Sequence, residues 1–211
     1  MGTQAYTSDK TRILLSFANN GGGDVFVDWL RRKLMDALLY YSPNAVYLDN
    51  VASRNAPGAT VQPDLRDPTK GFNPTTGTTS DGSYVRIGAM NDQWLEMWLK
   101  ALSEAKVLIQ VQTKEYSESN ACAKEMAKIG AELDKAGNTL EVLALSFDND
   151  LPAMAIGQNL PRTTPMRFTK VSGATDPCDP IHALKGSWKI SDSDLWKVTD
   201  FVKAHGCPVG A

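Results

Sequence analysis

Lys106-Val107-Leu108-Ile109-Gln110-Val111 is a nearly unbroken apolar run set between two segments of helical periodicity. A run this short and this apolar reads as a strand covered on both faces, which is the signature of a parallel sheet inside an α/β layer structure. Four more runs fit the same role. They are Ile13-Leu14-Leu15-Ser16-Phe17, Ala45-Val46-Tyr47-Leu48, residues 140–147 and, more weakly, residues 166–171. Helical patterns separate them. Residues 24–41 carry Phe26, Leu30, Leu34 and Leu38 on one face, with Asp24 as the expected N-cap. Residues 92–105 carry Leu95, Trp98, Leu99 and Leu102. Residues 120–136 carry Cys122, Met126, Ile129 and Leu133 and are expected to stop at Gly137-Asn138, and a last helix covers 193–204. Strands alternating with helices predict βαβ units, a parallel sheet and a doubly wound three-layer α/β domain.

With 211 residues and 42% hydrophobic content, the expectation is a single domain over 1–211. Its core spans about 11–171, with a C-terminal helical part over 172–211. Residues 50–91, rich in Pro, Gly, Thr and Asp, read as one long irregular loop, functional or disordered. A net charge of −2 with no Lys/Arg cluster argues against a nucleic-acid partner. Cys122, Cys178 and Cys207 are widely spaced and the only histidines are His182 and His205, so neither a disulfide framework nor a metal site is expected. The opening MGTQAYTSDK has no signal-peptide core, Tyr6 breaks the myristoylation pattern, and no apolar run is long enough to cross a membrane. A cytoplasmic protein without membrane partners is the expectation.

In such a sheet, ligands bind outside the carboxyl ends of the strands. That rule selects residues 16–20, 49–50, 112–117 and 146–148. Asn19-Asn20-Gly21-Gly22-Gly23 matches neither the dinucleotide nor the P-loop fingerprint and reads as a turn. Trp94 and Trp98 read as packing residues. No Ser-His-Asp arrangement or supported carboxylate pair is present. Glu118 reads as a solvated carboxylate. Glu125 lies about 100° around the helix from Met126, on the border of the apolar stripe. It can lean over the crevice or pair on the surface with Lys124 or Lys128, and helical phase leaves both open.

The stretch ALSEAKVLIQVQTKEYSESNACAKEM resembles the most recognisable segment of Toll/interleukin-1 receptor (TIR) domains: an apolar strand preceded by Ser103 and Ala105, then Tyr116, Ser119, Cys122 and a glutamate three residues on, Glu125. The first strand ending in Ser16-Phe17, followed by FVDWLRRKL, resembles the opening of that family. The resemblance covers about residues 11–147 by order of elements and the last third only loosely.

The resemblance implies a flavodoxin-like five-stranded parallel sheet. It also implies cleavage of NAD+ at the nicotinamide–ribose bond, giving ADP-ribose or a cyclic isomer. Free-standing bacterial members of the Thoeris type of antiphage defence make such a signal for a separate downstream effector. Glu125 matches the catalytic glutamate. Ser16 and Phe17 match positions lining the nucleotide site, Asp49 lies near it, and Tyr116, Ser117 and Cys122 shape the surroundings of the glutamate. NAD+ enters as substrate, with no cofactor or metal, and self-association through the domain is implied. Two positions depart from enzymatic relatives: Ala121 stands where Trp is common, and Ala18 where a basic residue is frequent. Two other readings stay open, a non-enzymatic TIR assembly module and an enzyme similar to nucleoside deoxyribosyltransferases.

Overall fold

The computed structural model of the chain describes residues 6, 8, 10–18, 22–42, 44–48, 92–148, 150, 160–172 and 188–210. Asp49, the expected loop 50–91, Cys178 and His182 lie outside the described residues, as does the side chain of Trp94.

Five strands, β1 (Ile13–Ser16), β2 (Val46–Tyr47), β3 (Val107–Gln112), β4 (Glu141–Phe147) and β5 (Thr163–Phe168), form one sheet in the order β2-β1-β3-β4-β5. Every pairing in it is parallel. β3 is buried along its whole length, as its apolar run predicts. The helices are α1 (Gly23–Leu38), α2 (Asp92–Glu104), the short α3 (Lys114–Glu118), α4 (Asn120–Leu133) and α5 (Asp192–Ala204). Strand alternation sorts the core into two layers. Ile13, Leu15, Val107 and Ile109 pack with Phe26, Leu30 and Leu34 of α1 and with Val198 and Val202 of α5. Leu14, Leu108 and Val142 pack with Trp98 and Leu102 of α2 and with Ile129 and Leu133 of α4. The molecule is thus a three-layer α/β fold of the flavodoxin-like kind. Among the described residues no helix is long and apolar enough to cross a membrane.

Several expected details are corrected. Asp24 is not the N-cap of α1. Gly22 takes that position at φ 78° with no side-chain cap, and Asp24 lies in the first turn, where its charge still favours the helix dipole. The helix ends at Leu38 because Leu39 turns left-handed and gives its N–H to the carbonyls of Asp36 and Met35. α4 ends at Leu133, capped by Asp134, so Gly137 (φ 76°) serves the turn beyond it. β5 starts at Thr163 rather than Met166. It is an edge strand, where Pro165 needs no ladder hydrogen bond, and its polar first half carries no apolar signal. Val171 belongs instead to β6 (Val171–Ser172), which pairs antiparallel with β7 (Trp188–Lys189). The C-terminal part is therefore not purely helical. Trp188 of this ribbon stacks on Phe26, with ring centroids 4.2 Å apart, and meets Phe147 edge-on. Aromatic contacts of this kind pin the ribbon onto the α1 layer.

Candidate active site

The order β2-β1-β3-β4-β5 reverses direction between β1 and β3, and ligand crevices of such sheets open at this switch point, beyond the carboxyl ends of the strands. Two in-register pairs, Leu14 with Leu108 and Ser16 with Gln110, show how that edge is built. Along the face covered by α2 and α4, the side chains run from apolar Leu14 and Leu108 to polar Ser16, Gln110 and Gln112, all three buried. A central strand that buries two glutamines at its carboxyl end must satisfy them internally. Gln112 Nε2 donates to Gln110 Oε1 at 3.5 Å, and Gln110 Nε2 approaches Met126 Sδ at 2.8 Å.

Above this polar row the chain makes two short-range caps in succession. Thr113 caps α3, its hydroxyl accepting from the Tyr116 N–H at 3.2 Å. Ser119 then caps α4, accepting from the Cys122 N–H at 3.3 Å. Each satisfies an otherwise orphaned helix donor. Tyr116, Ser119, Cys122 and Glu125 are therefore three apart for a physical reason. The cap fixes where α4 begins, and Cys122 and Glu125, one turn apart, then share its inward face. Cys122 packs with Ala18 and Tyr116, and its thiol reaches the Phe17 carbonyl at 3.5 Å.

Glu125 is buried at 4% exposure, deeper than the border position helical phase predicts. Its Oε2 accepts from Ser16 Oγ at 2.5 Å, and Ser16 Oγ lies 2.9 Å from the Tyr116 hydroxyl. Lys124 and Lys128 are exposed on the outer side of α4. Burial, then the charge of Glu125, raises the Tyr116 phenol well above its ordinary value.

The structure thus brings Ser16, Tyr116, Cys122 and Glu125 together. Phe17 contributes its carbonyl, while its ring packs in the layer of α1 and α5 on the other face. Ser117 stays in its own helix, its hydroxyl donating to the Lys114 carbonyl at 2.6 Å. Asp49 lies outside the described residues. Sequence reading passed over Gln110, while Gln112 and Ala18 entered only within the ranges expected at the crevice rim, Ala18 also as a departure from enzymatic relatives. The glutamines were visible as polar letters at alternate positions of an apolar strand. Among the described residues there is no group of three or more His, Cys, Asp or Glu arranged to hold a metal ion. Cys122 and Cys207 are buried thiols.

Such an arrangement offers one buried carboxylate beside two hydroxyls, at the switch point where ligand crevices of such sheets open. It can stabilise a cationic centre or hold sugar hydroxyls. No protein-family model matches the sequence, and no curated protein matches it.

Proposed function

We propose that the chain is a TIR-like enzyme that cleaves the nicotinamide–ribose bond of NAD+. The observation that carries the reading is the buried Glu125 carboxylate, held by Ser16 at the β1/β3 switch point. The carboxylate's role is electrostatic. Nicotinamide departs as a neutral base, taking the glycosidic electron pair with it, so no general acid is needed at the leaving nitrogen. The ribosyl carbon left behind is oxocarbenium-like, and a nearby carboxylate stabilises it and binds ribose hydroxyls, as in glycosyl transfer. Water then attacks with loss of a proton to give ADP-ribose. Alternatively, a nucleophile of the same molecule closes the ring and gives a cyclic isomer. NAD+ is a substrate here, and neither metal nor cofactor is part of the reading. A product of this kind suits a cytoplasmic immune signal in antiphage defence, passed to a separate effector, with self-association of the domain as the activating step.

Two observations favour a second reading, a non-enzymatic assembly module: Glu125 is buried and hydrogen-bonded as a structural carboxylate would be, and no aromatic stands at Ala121. The readings separate by incubating concentrated protein with NAD+ and resolving products by mass. Nicotinamide with ADP-ribose or its cyclic isomer supports the enzyme. Intact NAD+ under conditions that also permit oligomers supports the module, and base exchange on deoxynucleosides without NAD+ cleavage supports a deoxyribosyltransferase-like enzyme.

A further inference from the structure

Hydroxyls of two elements, β1 and α3, line up on the Glu125 carboxylate, and their hydrogen bonds have a forced order. Ser16 carries one hydroxyl proton, and Ser16 Oγ donates it to Glu125 Oε2 at 2.5 Å. The 2.9 Å contact between Ser16 Oγ and the Tyr116 hydroxyl can then be made only with the phenol as donor. Gln110 lies beside Ser16 in the β1–β3 register. Donors therefore run from α3 through β1 to the carboxylate on α4, and each bond polarises the next.

From this order we infer that Tyr116 is a positioning residue of the site, fixing the Glu125 carboxylate through the Ser16 hydroxyl. This rests on the NAD+-cleaving reading above. Tyr116 is 1% exposed and so acts through Ser16 rather than on substrate. Its placement is itself braced. Thr113 caps α3, and Asp150 Oδ2 accepts from the Lys114 N–H at 3.3 Å while its carboxylate pairs with Lys170 at 2.6 Å. A residue that only filled space would need no hydroxyl, and phenylalanine would serve. A positioning residue needs it, because without the phenol proton Ser16 Oγ is free to turn from Glu125. Burial holds the phenol pKa well above its ordinary value, which keeps that proton in place across the working pH range.

The test is Tyr116→Phe, which keeps the ring and removes one oxygen. Losing one hydrogen bond in the relay lowers kcat for nicotinamide release about three- to tenfold, with KM for NAD+ within about twofold. A wild-type kcat, or a change confined to KM, overturns the inference. Glu125→Gln run beside it separates the two failures. If Glu125→Gln is inactive and Tyr116→Phe is normal, the relay is wrong and the reading stands. If Glu125→Gln is fully active, the role given to Glu125 is wrong, and if the wild type leaves NAD+ intact, the NAD+ reading itself is wrong. A second readout is independent of turnover. Among the described contacts, Ser16 of β1 donates to the Glu125 carboxylate and Tyr116 of α3 lies behind Ser16, with Lys124 and Lys128 exposed on the helix that carries Glu125. In 13C spectra of glutamate-labelled protein, Tyr116→Phe moves the Glu125 carboxyl titration upward by roughly half a pH unit or more. An unchanged titration refutes the relay.

Discussion

Gly23→Ala probes the geometry under the site most sharply, because two physical effects oppose each other there. Gly23 is the first residue of α1, and alanine in a helix is worth about 1 kcal/mol over glycine. Propensity alone therefore predicts a more stable protein. The structure predicts the reverse. A Cβ at Gly23 would lie 2.5 Å from the Ala18 carbonyl oxygen, where ordinary contact begins at 3.4 Å, and the obstacle is backbone rather than a flexible side chain. Overpacking of this kind costs about 1–3 kcal/mol, and more where backbone must move. The expected net loss is about 1–2 kcal/mol, or about 2–8 °C in Tm for a chain of this size. Gly130→Ala is the matched control. It lies inside α4 and its Cβ would meet only Leu160 Cδ2, at 3.6 Å, so it is expected to gain about 0.5–1 kcal/mol. Urea and thermal unfolding of both variants measure the pair. Ala18 packs on Tyr116 and Cys122, so Gly23→Ala is also expected to slow nicotinamide release. A Gly23→Ala protein more stable than wild type would refute the close approach of α1 to the β1 end.

Two further outcomes follow from the thiols and carboxylates. Burial pushes the Cys207 thiol up to about 12, against the opposing charges of Arg12 and Lys106, so native protein at pH 8 leaves Cys207 unalkylated by iodoacetamide while urea-unfolded protein is modified, as read by peptide mass. Asp194, hydrogen-bonded by Lys197 and by the capping hydroxyl Ser191, is held below the ordinary aspartate value. Its depressed folded value means its contribution is present above about pH 4 and is lost as pH falls through the lower folded value, so acid unfolding curves of wild type and Asp194→Asn converge below that range and separate above it.

The architecture was legible wherever a local pattern and the final environment agree. β3 is apolar in sequence because it is buried on both faces, and α4 begins at Asn120 because Ser119 caps it. The edge hid its strand. β5 opens with Thr163, Thr164 and Pro165, which an exposed edge tolerates and hydropathy does not register. Leu39 ends α1 in a left-handed conformation that no glycine announces. The two-residue strands β6 and β7 form because Trp188 finds Phe26 and Phe147, a long-range partnership that no window of sequence contains. At the site, helical phase brought Glu125 only to the border of the buried stripe. Its burial depends on Ser16, 109 positions earlier in the chain. The polar spacing of Gln110 and Gln112 in β3 was the local clue to that partnership.

The central claim is that Glu125 acts on the ribosyl centre of NAD+. Its most direct measurement is nicotinamide released per unit time by wild type and by Glu125→Gln, an exchange that keeps side-chain shape and removes the charge. The account predicts steady release by wild type and a loss of about 100-fold or more in the variant, with its circular dichroism unchanged. A folded Glu125→Gln protein that releases nicotinamide at the wild-type rate would contradict it.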